Sequence, residues 1–161
     1  MQIKNISFAM KIYASVDELP IEDKELMLRA KKALNNSYSP YSNFKVGAAA
    51  RLDDKRIIVG SNQENASYPA TMCAEQVLIT NFSSLENKSP IQKIAVTYLS
   101  HIGNNDHPIT PCGICRQVLS EYETAQNSYI TLLVMGQSGD IWEIPGINSI
   151  LPLAFDLNAL S

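Results

Sequence analysis

Three cysteines set in two short segments constrain this chain more than any other feature. Pro111-Cys112-Gly113-Ile114-Cys115-Arg116-Gln117 places two sulfurs three residues apart, and Thr71-Met72-Cys73-Ala74-Glu75-Gln76 places the third just ahead of a carboxylate. The C-x-x-C spacing alone suits a redox pair, a structural zinc or a catalytic zinc. The remaining cysteine separates these. Three thiolates are one ligand short of a closed structural site, the normal state of a catalytic zinc that keeps its fourth position for water. Glu75 then has a task, because that water needs a base to take its proton and return it elsewhere on a substrate. Both segments read as helix starts, where free N–H groups and the positive dipole end stabilise thiolates. One geometric condition applies. Residues two apart on a regular helix point about 200° apart, so Cys73 and Glu75 converge only if Cys73 stands at the very first helical position.

Two rival chemistries share part of this pattern. A thioredoxin-like pair at Cys112 and Cys115 has no use for Cys73 and Glu75. A structural zinc completed by His101 or His107 would draw on the loop upstream of Pro111, where a lone histidine is more often simply solvated.

The rest of the chain favours a small-molecule site. A length of 161 residues with 45% hydrophobic content supports one good core and one domain over 1–161. Three cysteines are too few for a disulfide framework, and no apolar stretch long enough for a secretion signal precedes them, so a cytoplasmic protein is expected. No run of about 18 apolar residues suggests a membrane span. A formal charge of −3 argues against the basic surface that holds a nucleic-acid backbone.

Residues 1–19 mix apolar and polar residues without period and read as an arm with at most a short edge strand. Leu26, Ala30, Ala33 and Leu34 fall at helical spacing after Pro20 and predict a helix over 21–35. Phe44 to Leu52 reads as a strand whose small residues imply close packing against a helix, followed by a turn at Asp53-Asp54-Lys55 and a second strand over 56–63. A helix over 70–81, a β-branched strand over 91–99, a helix from Pro111 and two strands flanking Gln137-Ser138-Gly139 complete the order. The expected fold is α/β: a three-layer α/β/α sandwich around a mixed five-stranded sheet.

Cys73-Ala74-Glu75 followed by Pro111-Cys112-x-x-Cys115 resembles the zinc-dependent cytidine deaminases, whose related signature is a known one. SPYSNFKVGAA (Ser39 to Ala49), NQENASY (Asn62 to Tyr68), TPCGICRQVLSEY and the tail ILPLAF (Ile150 to Phe155) are similar to the small nucleoside-acting, three-cysteine branch. The resemblance implies Zn2+ on Cys73, Cys112 and Cys115, Glu75 as proton shuttle, and hydrolysis of cytidine and deoxycytidine to uridine and deoxyuridine by a zinc-bound hydroxide, as in pyrimidine salvage. It also implies that Ala74 and Thr110 hold the base through their backbones, that Asn62 and Glu64 bind ribose, and that Phe44 packs on the base. Glu64 would in addition repel a phosphate. Phe155 resembles an aromatic residue that a neighbouring subunit inserts into the site, which implies a homotetramer.

Two positions depart from the family pattern: Gln76 stands where arginine usually offsets the excess charge of three thiolates, and Leu153 stands where glycine is common. Arg116 or backbone N–H groups are the expected compensation for the missing arginine. Blasticidin deaminases share both cysteine motifs and also lack that arginine, so a related aminopyrimidine nucleoside is the alternative substrate. A non-catalytic zinc or redox module is the alternative from another class.

Overall fold

The computed structural model describes residues 1–156. One interior strand of its sheet carries the smallest side chains. In β2 (Phe44–Leu52), Ala48, Ala50 and Leu52 point to one face of the sheet and Ala49 to the other, and all four are fully buried. The two-residue period thus feeds two cores at once.

On one face lies α1 (Ile21–Ala33), whose Leu26, Met27 and Ala30 pack with Ala49, Ala95, Leu133 and Ile141. Its approach is close because Gly47 has no side chain: a Cβ there would stand 2.2 Å from the Ala30 carbonyl oxygen. The opposite face carries α2 (Ala74–Ser83), α3 (Gly113–Ala125) and the short α4 (Ile147–Ile150), which cover Ala48, Ala50, Ile94, Val96, Leu132 and Val134. Three layers result, as expected.

The sheet has six strands rather than five, in the order β1-β6-β5-β4-β2-β3, with β3 (Ile57–Ser61), β4 (Ile91–Ser100), β5 (Thr131–Met135) and β6 (Ile141–Ile144). The addition is β1 (Lys11–Tyr13), an edge strand inside the arm that pairs antiparallel with β6. The arm was expected to hold at most a short edge strand, and three residues carry too little pattern to fix its span. Their placement comes from across the sheet, where Glu143 accepts from Lys11 at 2.8 Å and from the Tyr13 hydroxyl at 3.3 Å. The 70–81 helix is also corrected: α2 begins at Ala74, because Tyr68–Ala70 forms a separate 3-10 turn around Pro69 and the Met72 backbone pairs with Gln63.

Topology decides where the two cysteine segments meet. Both β3 and β4 run antiparallel to β2, so they run in the same direction, and each leads through a loop to a helix on the same face. The starts of α2 and α3 therefore lie at one end of the sheet, outside the carboxyl ends of those strands, where open α/β sheets place their ligands.

Candidate active site

Cys73 is the N-cap of α2 and Cys112 the N-cap of α3, both with extended backbone, while Cys115 lies one turn into α3. Cys73 thus stands outside the helical period, which meets the condition for it to share a site with Glu75. Gln76 holds it there: its side-chain oxygen accepts the Cys73 backbone N–H at 3.0 Å, one half of a capping box. The sequence reading of Gln76 as a missing charge overlooked this task, because the helix-start signature that ends in Gln begins with Ser or Thr and here a cysteine stands at the N-cap.

The three sulfurs lie within 4.8 Å of one another, and Cys73 Sγ is 3.8 Å from Cys112 Sγ. Tetrahedral zinc with Zn–S bonds of about 2.3 Å requires sulfurs roughly 3.8 Å apart. The donor set therefore fits Zn2+, and neither histidine joins it: the ring of His107 packs edge-on against Trp142 at 5.5 Å. The thiols influence one another strongly. A hydrogen bond from Cys115, opposed by burial and the nearby Glu75 charge, brings the Cys73 pKa down to about 7. Cys115 is pushed up by the same bond, by burial and by the surrounding negative charges. One sulfur of the trio is thus poised to ionise near neutrality, the form in which it binds metal.

Glu75, one residue into α2, is 5% exposed. Burial raises its carboxyl above the ordinary range, against hydrogen bonds from its own backbone and from the Cys115 thiol. A raised carboxyl suits a group that must both take and give a proton near neutral pH.

A cavity of about 250 Å³ opens onto this centre, and Cys73, Glu75, Cys112, Thr110, Phe44, Asn62 and Glu64 all line it. The structure thus brings together seven of the expected site residues. Phe44 stacks on Tyr98, with ring centroids 5.1 Å apart and planes 14° apart, which fixes it as a wall. The Asn62 amide is held from within: its oxygen accepts from Val46 N at 2.7 Å and the Ser37 hydroxyl at 2.6 Å, and its nitrogen donates to Phe44 O at 2.9 Å. Glu64 accepts from the backbone N–H groups of Tyr41 and Ser42 at 2.9 and 3.3 Å and from the Ser42 hydroxyl. That hydroxyl bond keeps the Glu64 carboxyl below its usual range. Ala74 is fully buried and is not among the residues that line the cavity.

Phe155 is not brought to the cavity. It is 61% exposed, and its carbonyl accepts from the Gln117 side chain at 2.7 Å. Arg116 donates to Pro111 O at 2.7 Å, Ile150 O at 3.0 Å and Thr110 Oγ1 at 2.8 Å, so it fastens the loop carrying Thr110 to the end of α4. Sequence reasoning missed Ser42, Val46, Thr71, Met72 and Ile109 as lining residues. Ser42, inside the SPYSNF segment, had a signal in its position two residues before Phe44; the apolar three had none.

A family model described as the cytidine and deoxycytidylate deaminase zinc-binding region matches residues 20–131. A cytidine deaminase of Halalkalibacterium halodurans is 38% identical over 135 residues, which cover 83% of this chain and 94% of the relative. One from Sporosarcina psychrophila is 34% identical over 138 residues, covering 86% and 94%. Among solved structures, cytidine deaminase from Burkholderia pseudomallei superposes with a TM-score of 0.71 at 35% identity, covering 81% of this chain and 97% of that one. The enzyme from Mycobacterium tuberculosis gives 0.64 at 31% identity, covering 86% and 100%. With three sulfurs at zinc spacing beside a buried glutamate, and with these matches across most of its length, the chain belongs to the zinc-binding cytidine and deoxycytidylate deaminase family.

Proposed function

We propose that this chain is a zinc-dependent hydrolase that converts cytidine and deoxycytidine, with water, to uridine and deoxyuridine plus ammonia. The observation that carries the reading is the convergence of Cys73, Cys112 and Glu75 on one cavity with Phe44, Asn62 and Glu64 at its other wall. Cys73, Cys112 and Cys115 hold the metal, which supplies Lewis-acid activation of water. Glu75 takes a proton from the attacking water, delivers it to N3 of the pyrimidine, and carries the second to the departing amino nitrogen at C4. Its burial supports this role, since it raises the carboxyl toward the range in which a group can both take and give a proton. Phe44 packs on the base, while Ala74 and Thr110 hold its exocyclic groups through the backbone.

Asn62 and Glu64 bind the ribose. Both are already fixed by neighbours in the Ser37–Val46 region, so the sugar meets oriented groups that need no reordering. The charge on Glu64 disfavours a 5′-phosphate and favours nucleosides over nucleotides. Phe155, exposed on this subunit, reaches a neighbour's cavity in a homotetramer; the whole chain forms one domain and works in the cytoplasm in pyrimidine salvage. Among the described residues no helix is long and apolar enough to cross a membrane.

Ultraviolet assay of the zinc-loaded protein with cytidine, deoxycytidine and blasticidin tests the substrate, and Glu75→Ala tests the mechanism. The variant is expected to keep zinc and lose about 10²–10⁴-fold in kcat. Full turnover by a zinc-loaded Glu75→Ala protein would refute the proton-shuttle role.

A further inference from the structure

The family model's match begins at residue 20, so the shared chemistry gives residues 1–19 no task. The arm has a pattern of its own. From Ile6 to Ile12 the apolar side chains Ile6, Phe8, Met10 and Ile12 recur at every second position, with Ser7, Ala9 and Lys11 between them. That is the period of a strand with one apolar face. Yet only Lys11–Tyr13 forms a strand, and residues 1–10 belong to no strand or helix. The four apolar side chains are left between 39% and 56% exposed.

The cause is the end of the neighbouring strand. Continued in the register that pairs Lys11 with Glu143 and Ile12 with Trp142, the arm would set Ala9 opposite Pro145, just past the last residue of β6. Proline has no N–H to offer a ladder, so the pattern of a longer strand outlasts its partner. The outer edge of β1 is also open, because β1 stands at the end of the sheet among the described residues.

The arm is complementary to itself. Two copies running antiparallel about a two-fold axis map the four apolar positions onto one another in a single register, with Ala9 facing Ala9 across the axis. Ile6 then faces Ile12, and Phe8 faces Met10. The axis, where a residue must meet its own counterpart, falls on the smallest side chain of the segment. Charge agrees with the same register. Lys4 and Lys11 are the only charged side chains in residues 1–13, and neither faces a cation. Lys11 faces Ser7, and Lys4 faces Ala14, whose backbone N–H donates to the Glu18 carboxylate at 2.8 Å, so Lys4 arrives beside an acid. Facing apolar pairs stabilise a sheet, and like charges directly opposite would oppose it.

We propose that residues 5–13 of one copy pair antiparallel with the same residues of a second copy, joining two six-stranded sheets edge to edge through an isologous contact. A segment this short is well below the roughly 20–30 residues a side of a standard interface. The contact therefore reinforces association at high concentration rather than sustaining it alone. It is made by residues other than Phe155 and does not depend on the deaminase reading.

The test is covalent. Facing residues of an antiparallel pair have Cα atoms about 4.5–5.5 Å apart, within the span that a disulfide bridges. Full-length, zinc-loaded Ala9→Cys protein in oxidised glutathione should therefore form linked dimers on a non-reducing gel, with the parent protein setting the background. Ser7→Cys is the control, because Ser7 faces Lys11 and lies four residues, or about 13 Å, from its counterpart. Ala9→Cys is expected to link at least about tenfold faster than Ser7→Cys, since only facing residues meet disulfide geometry. Adding Phe8→Asp, which sets a carboxylate against Met10 from an exposed position, should bring Ala9→Cys down to the Ser7→Cys rate. Equal rates for the two would show arms meeting by free collision, and no dimers from either would assign the arm to a different partner. Either result overturns the pairing, as would linkage of Ala9→Cys that Phe8→Asp leaves unchanged.

Discussion

Gly60, in β3 and outside every cysteine motif, is expected to control the metal centre through a steric contact. A Cβ built on it would stand 2.3 Å from the Ala74 carbonyl oxygen and 2.4 Å from the Leu78 backbone nitrogen, both in α2. Real Cβ contacts essentially never fall under 3.0 Å, so in Gly60→Ala the first turns of α2 must retreat by about 0.7 Å from the sheet. The glycine does not occupy the left-handed backbone region, so the substitution introduces a contact and no φ strain. Those turns carry Cys73 at the N-cap and Glu75 two residues on. A displacement approaching 1 Å at a reacting group costs up to about 10²-fold in rate, and overpacking of this kind costs about 1–3 kcal/mol, or roughly 2–12 °C in Tm for a chain of this size. Gly113→Ala is the control. It lies between Cys112 and Cys115, yet a Cβ there meets nothing within 4 Å, so zinc content and turnover should be unchanged. Parallel measurement of Tm, zinc stoichiometry and kcat/KM decides the matter: a Gly60→Ala protein as stable and active as the parent would refute the reasoning, as would a Gly113→Ala protein that loses zinc.

Two further predictions follow from the charges. Stripping the metal with a chelator should lower Tm, since zinc ties together the starts of α2 and α3; ligand at about 1,000 times its Kd contributes about 4 kcal/mol, or roughly 8–16 °C. Scanning calorimetry before and after readdition checks this, and an unchanged Tm would remove the metal from the fold. For Glu143, burial pushes the carboxyl up, but the bonds from Lys11 and Lys93 outweigh it and hold the pKa below the ordinary value. A carboxyl lowered in the folded state stabilises fully above its unfolded pKa of about 4.3, and that contribution is lost as pH falls through the folded value. Glu143→Gln should therefore melt a few degrees below the parent near pH 7, the scale of about 1 kcal/mol, and the two Tm values should converge below about pH 4. A gap that persists in acid would show that the contribution is not electrostatic.

What the sequence disclosed and what it concealed divide along a physical line. The span of β2 was legible to the residue, because a run of small and apolar residues bounded by Asn43 and the Asp53-Asp54-Lys55 turn leaves little freedom. The cysteines were legible because three sulfurs and a carboxylate at that spacing have few joint uses. Spacing did not reveal that β3 and β4 share a direction, and it is this pairing that brings Cys73 and Cys112, 39 residues apart, within 3.8 Å. Side chains with short-range duties were hidden for a related reason. Arg116 was one of two expected compensations for the sulfurs' charge, beside backbone N–H groups, and its three hydrogen bonds reach Thr110, Pro111 and, from 34 residues away, Ile150. A guanidinium satisfied by two carbonyls and a hydroxyl keeps its charge near the centre while its geometry is given to the loop. The other expected compensation, backbone N–H groups, has its geometry in place at the helix starts on which Cys73 and Cys112 sit. Gln76 adds no charge, but it fixes the N-cap of α2 and with it the direction of those N–H groups.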